Sequence, residues 1–166
     1  KKSEIKKILN CIQDFRMWER DLFIIKLLYL HGLGVSEILS LNINDIINKN
    51  NSYYIKVNRN SSENLPLIDE TIKAYKEYMN LRFDLDENNN SALLLTKNGN
   101  RLTRSGLSTR FKKILQKANI QKNYTPIHLK YSFIVYMKDA IEKDSLKQLL
   151  DQDDIDRYYH INPLKN

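Results

Sequence analysis

Apolar positions recur at helical spacing along most of this chain. Ile5, Ile8, Leu9 and Ile12 repeat at three- and four-residue intervals behind Ser3, a residue suited to cap a helix. Arg16 to Leu33 is longer and mostly apolar, which predicts a second, largely buried helix. Glycines interrupt the run at 32 and 34, and Ser36 is placed to cap a short helix from Glu37 to Leu41. The period then changes. Asn48-Lys49-Asn50-Asn51 predicts a turn, Tyr53 to Val57 alternates like a strand, and Asn64 to Leu67 reads as its partner across a polar hairpin. Asp69 opens a helix with Ile72, Tyr75 and Met79 on one face, and Asp84 to Ser91 is a polar loop. Ala92 to Thr96 predicts a short strand, followed by a tight turn at Lys97-Asn98-Gly99-Asn100. Thr103 caps a basic helix reaching Ala118. Thr125-Pro126 starts another with Leu129, Phe133, Tyr136 and Met137, and Leu146 to Leu150 is a short last segment. With no repeat and no linker, residues 1–166 read as one α+β domain, mainly helical with a small antiparallel sheet.

Composition narrows the class. The 166 residues suffice for a core, and 42% hydrophobic with 28% charged residues is ordinary for a globular chain. The longest apolar candidate for a membrane span, Leu22 to Leu33, is broken by Lys26 and His31, and no uncharged segment resembling a signal peptide follows the lysine-rich start. A single cysteine, Cys11, excludes an internal disulfide and a cysteine zinc cluster. It reads as a small core residue, in keeping with a reducing cytoplasm. Trp18, Phe23, Phe111 and Phe133 are core candidates, and His31, with no evident partner, reads as structural.

Charge changes the picture more. The net charge is +7. From Asn88 to Lys138 there are ten Lys/Arg and no Asp/Glu, whereas Asp139 to Asp156 holds seven acids and two lysines. Such segregation gives one strongly positive face, the electrostatic footprint of a nucleic-acid partner. Lys97, Arg101, Arg104, Arg110, Lys112, Lys113 and Lys130 are the candidate DNA contacts. The three arginines around the Thr103 helix start suit phosphate contacts in particular. The histidines at 31, 128 and 160 lack metal-ligand spacing and there is no Gly-rich phosphate loop, so neither a metal nor a small-molecule cofactor is expected.

Four local patterns, in order, resemble the catalytic domain of tyrosine recombinases, the phage-integrase and Xer-type family. Gly32-Leu33-Gly34-Val35-Ser36-Glu37-Ile38-Leu39-Ser40-Leu41, then Asp45-Ile46, is similar to the family's Thr-Gly-Leu-Arg-x-x-Glu-Leu-x-x-Leu followed by Asp-Ile or Asp-Val. Leu94-Leu95-Thr96 with Asn98-Gly99 and a helix start is the second pattern. Leu129-Lys130-Tyr131-Ser132-Phe133 resembles His-x-Leu-Arg-His-Thr-Phe, and Tyr158-Tyr159-His160 resembles Tyr-x-His. The similarity covers nearly the whole chain. It implies the recombinase catalytic-domain fold, with the family's N-terminal core-binding domain absent from this chain. It also implies a duplex DNA partner, and self-association or a partner recombinase on that DNA.

The resemblance also implies a chemistry. A tyrosine oxygen attacks a DNA phosphate, forming a 3′-phosphotyrosine and freeing a 5′-hydroxyl. Two arginines clamp the charged transition state, a lysine protonates the leaving oxygen and histidines assist proton transfer. By this alignment Tyr158 is the nucleophile, but Gly34 replaces the first arginine, Lys130 the second, Ile127 the histidine beside His128, and Gln152 the late histidine or tryptophan. The hairpin lysine falls near Asn58, with Arg59 next to it and Ser61 at the other common basic position. Tyr158, Lys130, His128, Arg59 and His160 are therefore the catalytic candidates. Three functions compete: a DNA-binding recombinase relative with impaired or no cleavage, an active recombinase with a rearranged site, and a protein-interaction module derived from the fold.

Overall fold

The computed structural model describes residues 2–57, 64–86 and 89–137. Helix α1 (Lys2–Cys11) buries Ile5 and Ile8, and a 3-10 turn at Ile12–Asp14 carries Ile12 into the same cluster. Ser3 lies inside α1 rather than at its cap. Helix α2 (Trp18–His31) is central: it buries Phe23, Ile24, Leu27 and Leu28 and packs against α4 (Asp69–Leu85), where Phe23 meets Tyr75 and Tyr78, and against α6 (Ile127–Met137). Two left-handed residues, Met17 and Gly32 with φ of 68° and 62°, bracket it, so the helix is shorter at both ends than its apolar run. The Leu33 N–H donates to the Leu27 carbonyl at 3.2 Å and closes the last turn. Helix α3 (Val35–Ser40) follows at once, with Gly34 rather than Ser36 at its cap.

The sheet is antiparallel in the order β1 (Ile46–Lys49), β2 (Ser52–Ile55), β3 (Leu65–Pro66), with Ile46 opposite Ile55 and Tyr54 opposite Pro66. Its first turn contracts to Asn50 and Asn51, both at positive φ (50° and 65°), a conformation asparagine tolerates well. Asn48 and Lys49, expected in the turn, therefore belong to β1.

On α4 the fully buried stripe is Thr71, Ala74, Tyr78 and Arg82, while Ile72, Tyr75 and Met79 are partly buried beside it. Residues 92–95 are all buried but form no continuous strand, only isolated bridges from Ala92 to Asn42 and from Leu95 to Arg101. Side chains satisfy much of this backbone instead. The Tyr78 hydroxyl donates to the Leu93 carbonyl at 3.0 Å and accepts the Leu95 N–H at 2.9 Å. Arg82 donates to the carbonyls of Asn90, Ala92 and Leu93. Burial pushes the Tyr78 phenol above its ordinary pKa and keeps it a donor.

The turn after this segment places Gly99 at φ 74°, where a Cβ would meet the Leu85 carbonyl at 2.7 Å. Helix α5 (Arg104–Lys117) begins as the sequence predicts, the Thr103 hydroxyl accepting the Gly106 N–H at 3.1 Å. His31 has a partner after all: its Nε2 lies 2.9 Å from the Thr71 hydroxyl, and burial pushes the ring pKa down to about 4. Phe23 and Phe111 are core, Trp18 and Phe133 are half-buried, and Cys11 is a half-buried free thiol packed against the core. Among the described residues no helix is long and apolar enough to cross a membrane.

Candidate nucleic-acid interface

Three elements converge at the break between α2 and α3. The first is Gly34, whose extended backbone (φ −79°, ψ 158°) starts α3. Its N–H donates to Glu37 Oε2 at 2.5 Å, which satisfies one of the donors a helix leaves open at its first turn. The second is α6, which turns Lys130 inward with Leu129 and Ile134. Lys130 is 1% exposed, and its Nζ lies 3.9 Å from the same Glu37 oxygen. An added Cβ at Gly34 would stand 3.1 Å from that carboxylate oxygen and 3.5 Å from Lys130 Nζ. The glycine therefore marks a tight notch between one carboxylate and one ammonium, which a Cβ enters only if the Glu37 carboxylate shifts.

The third element is the start of α5. Arg104 Nη2 donates to the Ser36 hydroxyl at 2.5 Å, tying α5 to the first turn of α3. Past Arg104, the solvent-facing positions of α5 carry Ser105, Ser108, Thr109, Lys112 and Lys113, all exposed, and Lys97 projects from the preceding turn. Hydroxyls and long cations on one helix face can contact phosphates, and the Asn88 to Lys138 segment holds no acid to oppose them.

The seven expected DNA contacts thus separate. Lys97, Arg104, Lys112 and Lys113 are exposed. Lys130 is buried at the notch. Arg101 and Arg110 are engaged within the protein. Arg101 Nη1 donates to the carbonyls of Leu39 (2.9 Å) and Leu41 (3.0 Å), and Nη2 donates to Asn42 Oδ1 (2.5 Å). Arg110 Nε donates to Asp21 Oδ2 at 2.5 Å, its Nη2 to the Arg16 carbonyl, and the guanidinium lies over the Phe15 ring. Asp21 also accepts two bonds from Arg20, whose remaining arm reaches the Leu95 carbonyl.

Of the catalytic candidates, Lys130 and His128 fall on α6. His128 Nδ1 lies 3.0 Å from the Thr125 N–H, 3.0 Å from the Thr125 hydroxyl and 3.3 Å from the Thr125 carbonyl. Tyr124 and Tyr131 flank that ring, at centroid distances of 5.3 and 5.9 Å. His128 thus ties the start of α6 to Thr125 through Nδ1. Arg59, Tyr158 and His160 lie outside the described residues, as do Asn58, Ser61, Gln152 and the Leu146 to Leu150 segment. Among the described residues no group of three His, Cys, Asp or Glu is placed to hold a metal ion. Sequence reasoning missed the pairing of Glu37 with Lys130. The one signal available was local: a glutamate three residues beyond position 34 has capping-box spacing.

The chain matches the phage integrase family over residues 1–163. It is 31% identical over 138 residues to tyrosine recombinase XerD of Oceanobacillus iheyensis, covering 81% of this chain and 46% of that protein. It is 29% identical over 165 residues to tyrosine recombinase XerC of Caldanaerobacter subterraneus subsp. tengcongensis, covering 96% of this chain and 46% of that protein. Among solved structures it shares the fold of XerA recombinase, with a TM-score of 0.74 at 19% identity over 100% of this chain and 65% of that one. It also shares the fold of XerH site-specific recombinase in a post-cleavage complex with palindromic difH substrate, with a TM-score of 0.73 at 22% identity over 96% of this chain and 48% of that one. The chain spans about half the length of the curated relatives it matches.

Proposed function

The chain belongs to the phage integrase family, and we propose that it is a duplex-DNA-binding, recombinase-type domain serving DNA recombination or integration, with strand cleavage impaired. The observation that carries this reading is the notch at Gly34. Where the resemblance expects one arginine there is no side chain, and where it expects the other, Lys130 faces Glu37 from a buried position. A lysine presents a point charge, whereas a guanidinium grips two phosphate oxygens at once. Loss of one clamp of this kind costs about 10²–10³ in rate, and two positions are altered here.

Binding makes weaker demands than bond breaking. Phosphate affinity comes from the exposed cations Lys97, Arg104, Lys112 and Lys113, which need only lie near the DNA backbone. In this reading Tyr158 is the nucleophile position, with Lys130, His128, Arg59 and His160 the groups left to assist it. The protein acts in the cytoplasm, beside a second copy or a partner recombinase on the same duplex, and neither a metal nor a cofactor takes part. The XerH structure captured with its difH substrate supports DNA as the partner. An active recombinase with a rearranged site is the competing reading. Lys130 favours it by keeping one cation at the Glu37 carboxylate.

Duplex affinity measured across a salt titration tests the binding half. Log K falls linearly with log salt, by about 0.9 for each phosphate neutralised, and the wild-type slope reports several contacts. Glutamine at Lys97, Arg104, Lys112 or Lys113 each flattens it by about one contact. An affinity indifferent to salt would remove DNA from the account.

A further inference from the structure

Two arginines of the acid-free segment hold α3 from its two ends. Arg104 reaches Ser36 in the first turn. Arg101 reaches the other end, where the Leu39 and Leu41 carbonyls belong to the last turn and its exit, groups with no partner inside the helix. The same guanidinium takes Asn42 Oδ1, and the backbone of Arg101 bridges Leu95. Arg101 thus joins the turn that carries Lys97 to the helix that carries Gly34 and Glu37. Three of its hydrogen bonds end on neutral oxygens of the protein, so most of its planar donor fork faces inward.

We propose that Arg101 is a positioning residue, not a DNA contact: it fixes α3, with the Gly34 notch and Glu37, in register with the cationic face of α5, so that one duplex meets both. The proposal rests on the DNA-binding reading above for its consequence, but the clasp itself can be tested without DNA.

Direct contact and positioning leave different signatures. Removing a phosphate contact lowers affinity and flattens its salt dependence together. Removing a positioning residue lowers affinity at every salt concentration with the slope unchanged, because the same phosphates are still neutralised, only in fewer molecules at a time.

The experiment compares Arg101→Gln, Arg101→Lys, Asn42→Ala and Lys112→Gln on one labelled mixed-sequence duplex, with wild type alongside. Arg101→Gln is expected to weaken binding on the order of tenfold with a wild-type slope. Arg101→Lys recovers part of the loss, since one ammonium can serve a carbonyl but not the whole set. Asn42→Ala, which removes no charge, weakens binding in the same sense. Lys112→Gln flattens the slope by about 0.9. Amide hydrogen exchange on the free proteins gives the second readout. In Arg101→Gln the Ile38 to Ser40 amides lose protection about tenfold, while those of Phe111 to Leu115 in α5 keep theirs. A slope flattened in Arg101→Gln as in Lys112→Gln overturns the proposal, as does an Asn42→Ala protein with wild-type affinity. A wild-type chain that binds no duplex overturns the DNA reading. The exchange result then decides alone: unchanged α3 protection in Arg101→Gln removes the clasp too.

Discussion

Gly34→Arg is the substitution that asks most of this site. The backbone at Gly34 is extended, with φ −79° and ψ 158°, a conformation open to any residue, so no backbone strain opposes the change. The new Cβ stands 3.1 Å from Glu37 Oε2 and 3.5 Å from Lys130 Nζ. The nearer atom ends a flexible side chain and gives way by a few tenths of an ångström. What it risks is the capping bond from the Gly34 N–H, about 1 kcal/mol. Against this, an arginine growing from position 34 gains Glu37 as a fork-like carboxylate partner and presents its outer face to a bound phosphate. A restored transition-state clamp is worth ~2.7–4 kcal/mol, or about 10²–10³ in rate. The assay is single-turnover covalent capture on a nicked duplex, with Tyr158→Phe made in both backgrounds. Gly34→Ala, expected within about 1 kcal/mol of wild-type stability, controls for the Cβ alone. Capture should run about 10²–10³ faster in Gly34→Arg and depend on Tyr158, with DNA affinity changed far less. A folded, DNA-binding Gly34→Arg protein with no faster capture would refute the assignment of the notch as the missing clamp.

Three further changes probe the scaffold. His31 titrates at about 4 when folded and near 6.5 when unfolded, so the unfolded chain takes the proton first. Stability is then flat above about pH 6.5 and falls by up to about 3 kcal/mol as pH drops toward 4. In denaturant unfolding at a series of pH values, His31→Gln should remove that fall, and parallel curves would count against it. Arg82→Ala strips buried donors from the Asn90, Ala92 and Leu93 carbonyls and should cost about 3 kcal/mol, lowering the thermal midpoint by roughly 10 °C in calorimetry. Thr103→Ala loses the bond to the Gly106 N–H and should cost about 1 kcal/mol, read as faster exchange of the first-turn amides of α5.

What could be read from the sequence was whatever local pattern controls. The α5 cap at Thr103, the buried α2 and the asparagine turn follow from side-chain spacing and from residues with special backbone preferences. The expected strand from Ala92 to Thr96 reduces to isolated bridges, because its apolar residues look the same however the backbone is satisfied. Here the partners include the side chains of Tyr78 and Arg82, 10 to 17 residues away, and that of Arg20, 75 residues away. Charges raised the same difficulty. Sequence registers Arg101, Arg110 and Lys130 equally as cations of one basic segment. The structure commits the first two to carbonyls, Asn42 and Asp21, and buries the third beside Glu37. Which oxygens a guanidinium meets is a tertiary fact, and no spacing rule encodes it. The glycine at position 34, where the resemblance expects an arginine, was legible at once. That it stands beside Lys130 was not, because 96 residues of chain separate the two.

In the proposed reading the domain grips DNA and cuts it poorly. One set of reactions, divided between a native and a denaturing gel, tests both halves. Wild type and Tyr158→Phe are each mixed with nicked duplexes drawn from the DNA flanking the protein's own gene, and native retardation and denaturant-resistant adducts are scored from the same reactions. Both proteins should retard DNA, and neither should give an appreciable adduct. An abundant adduct in wild type that is absent from Tyr158→Phe would contradict it and establish a working recombinase.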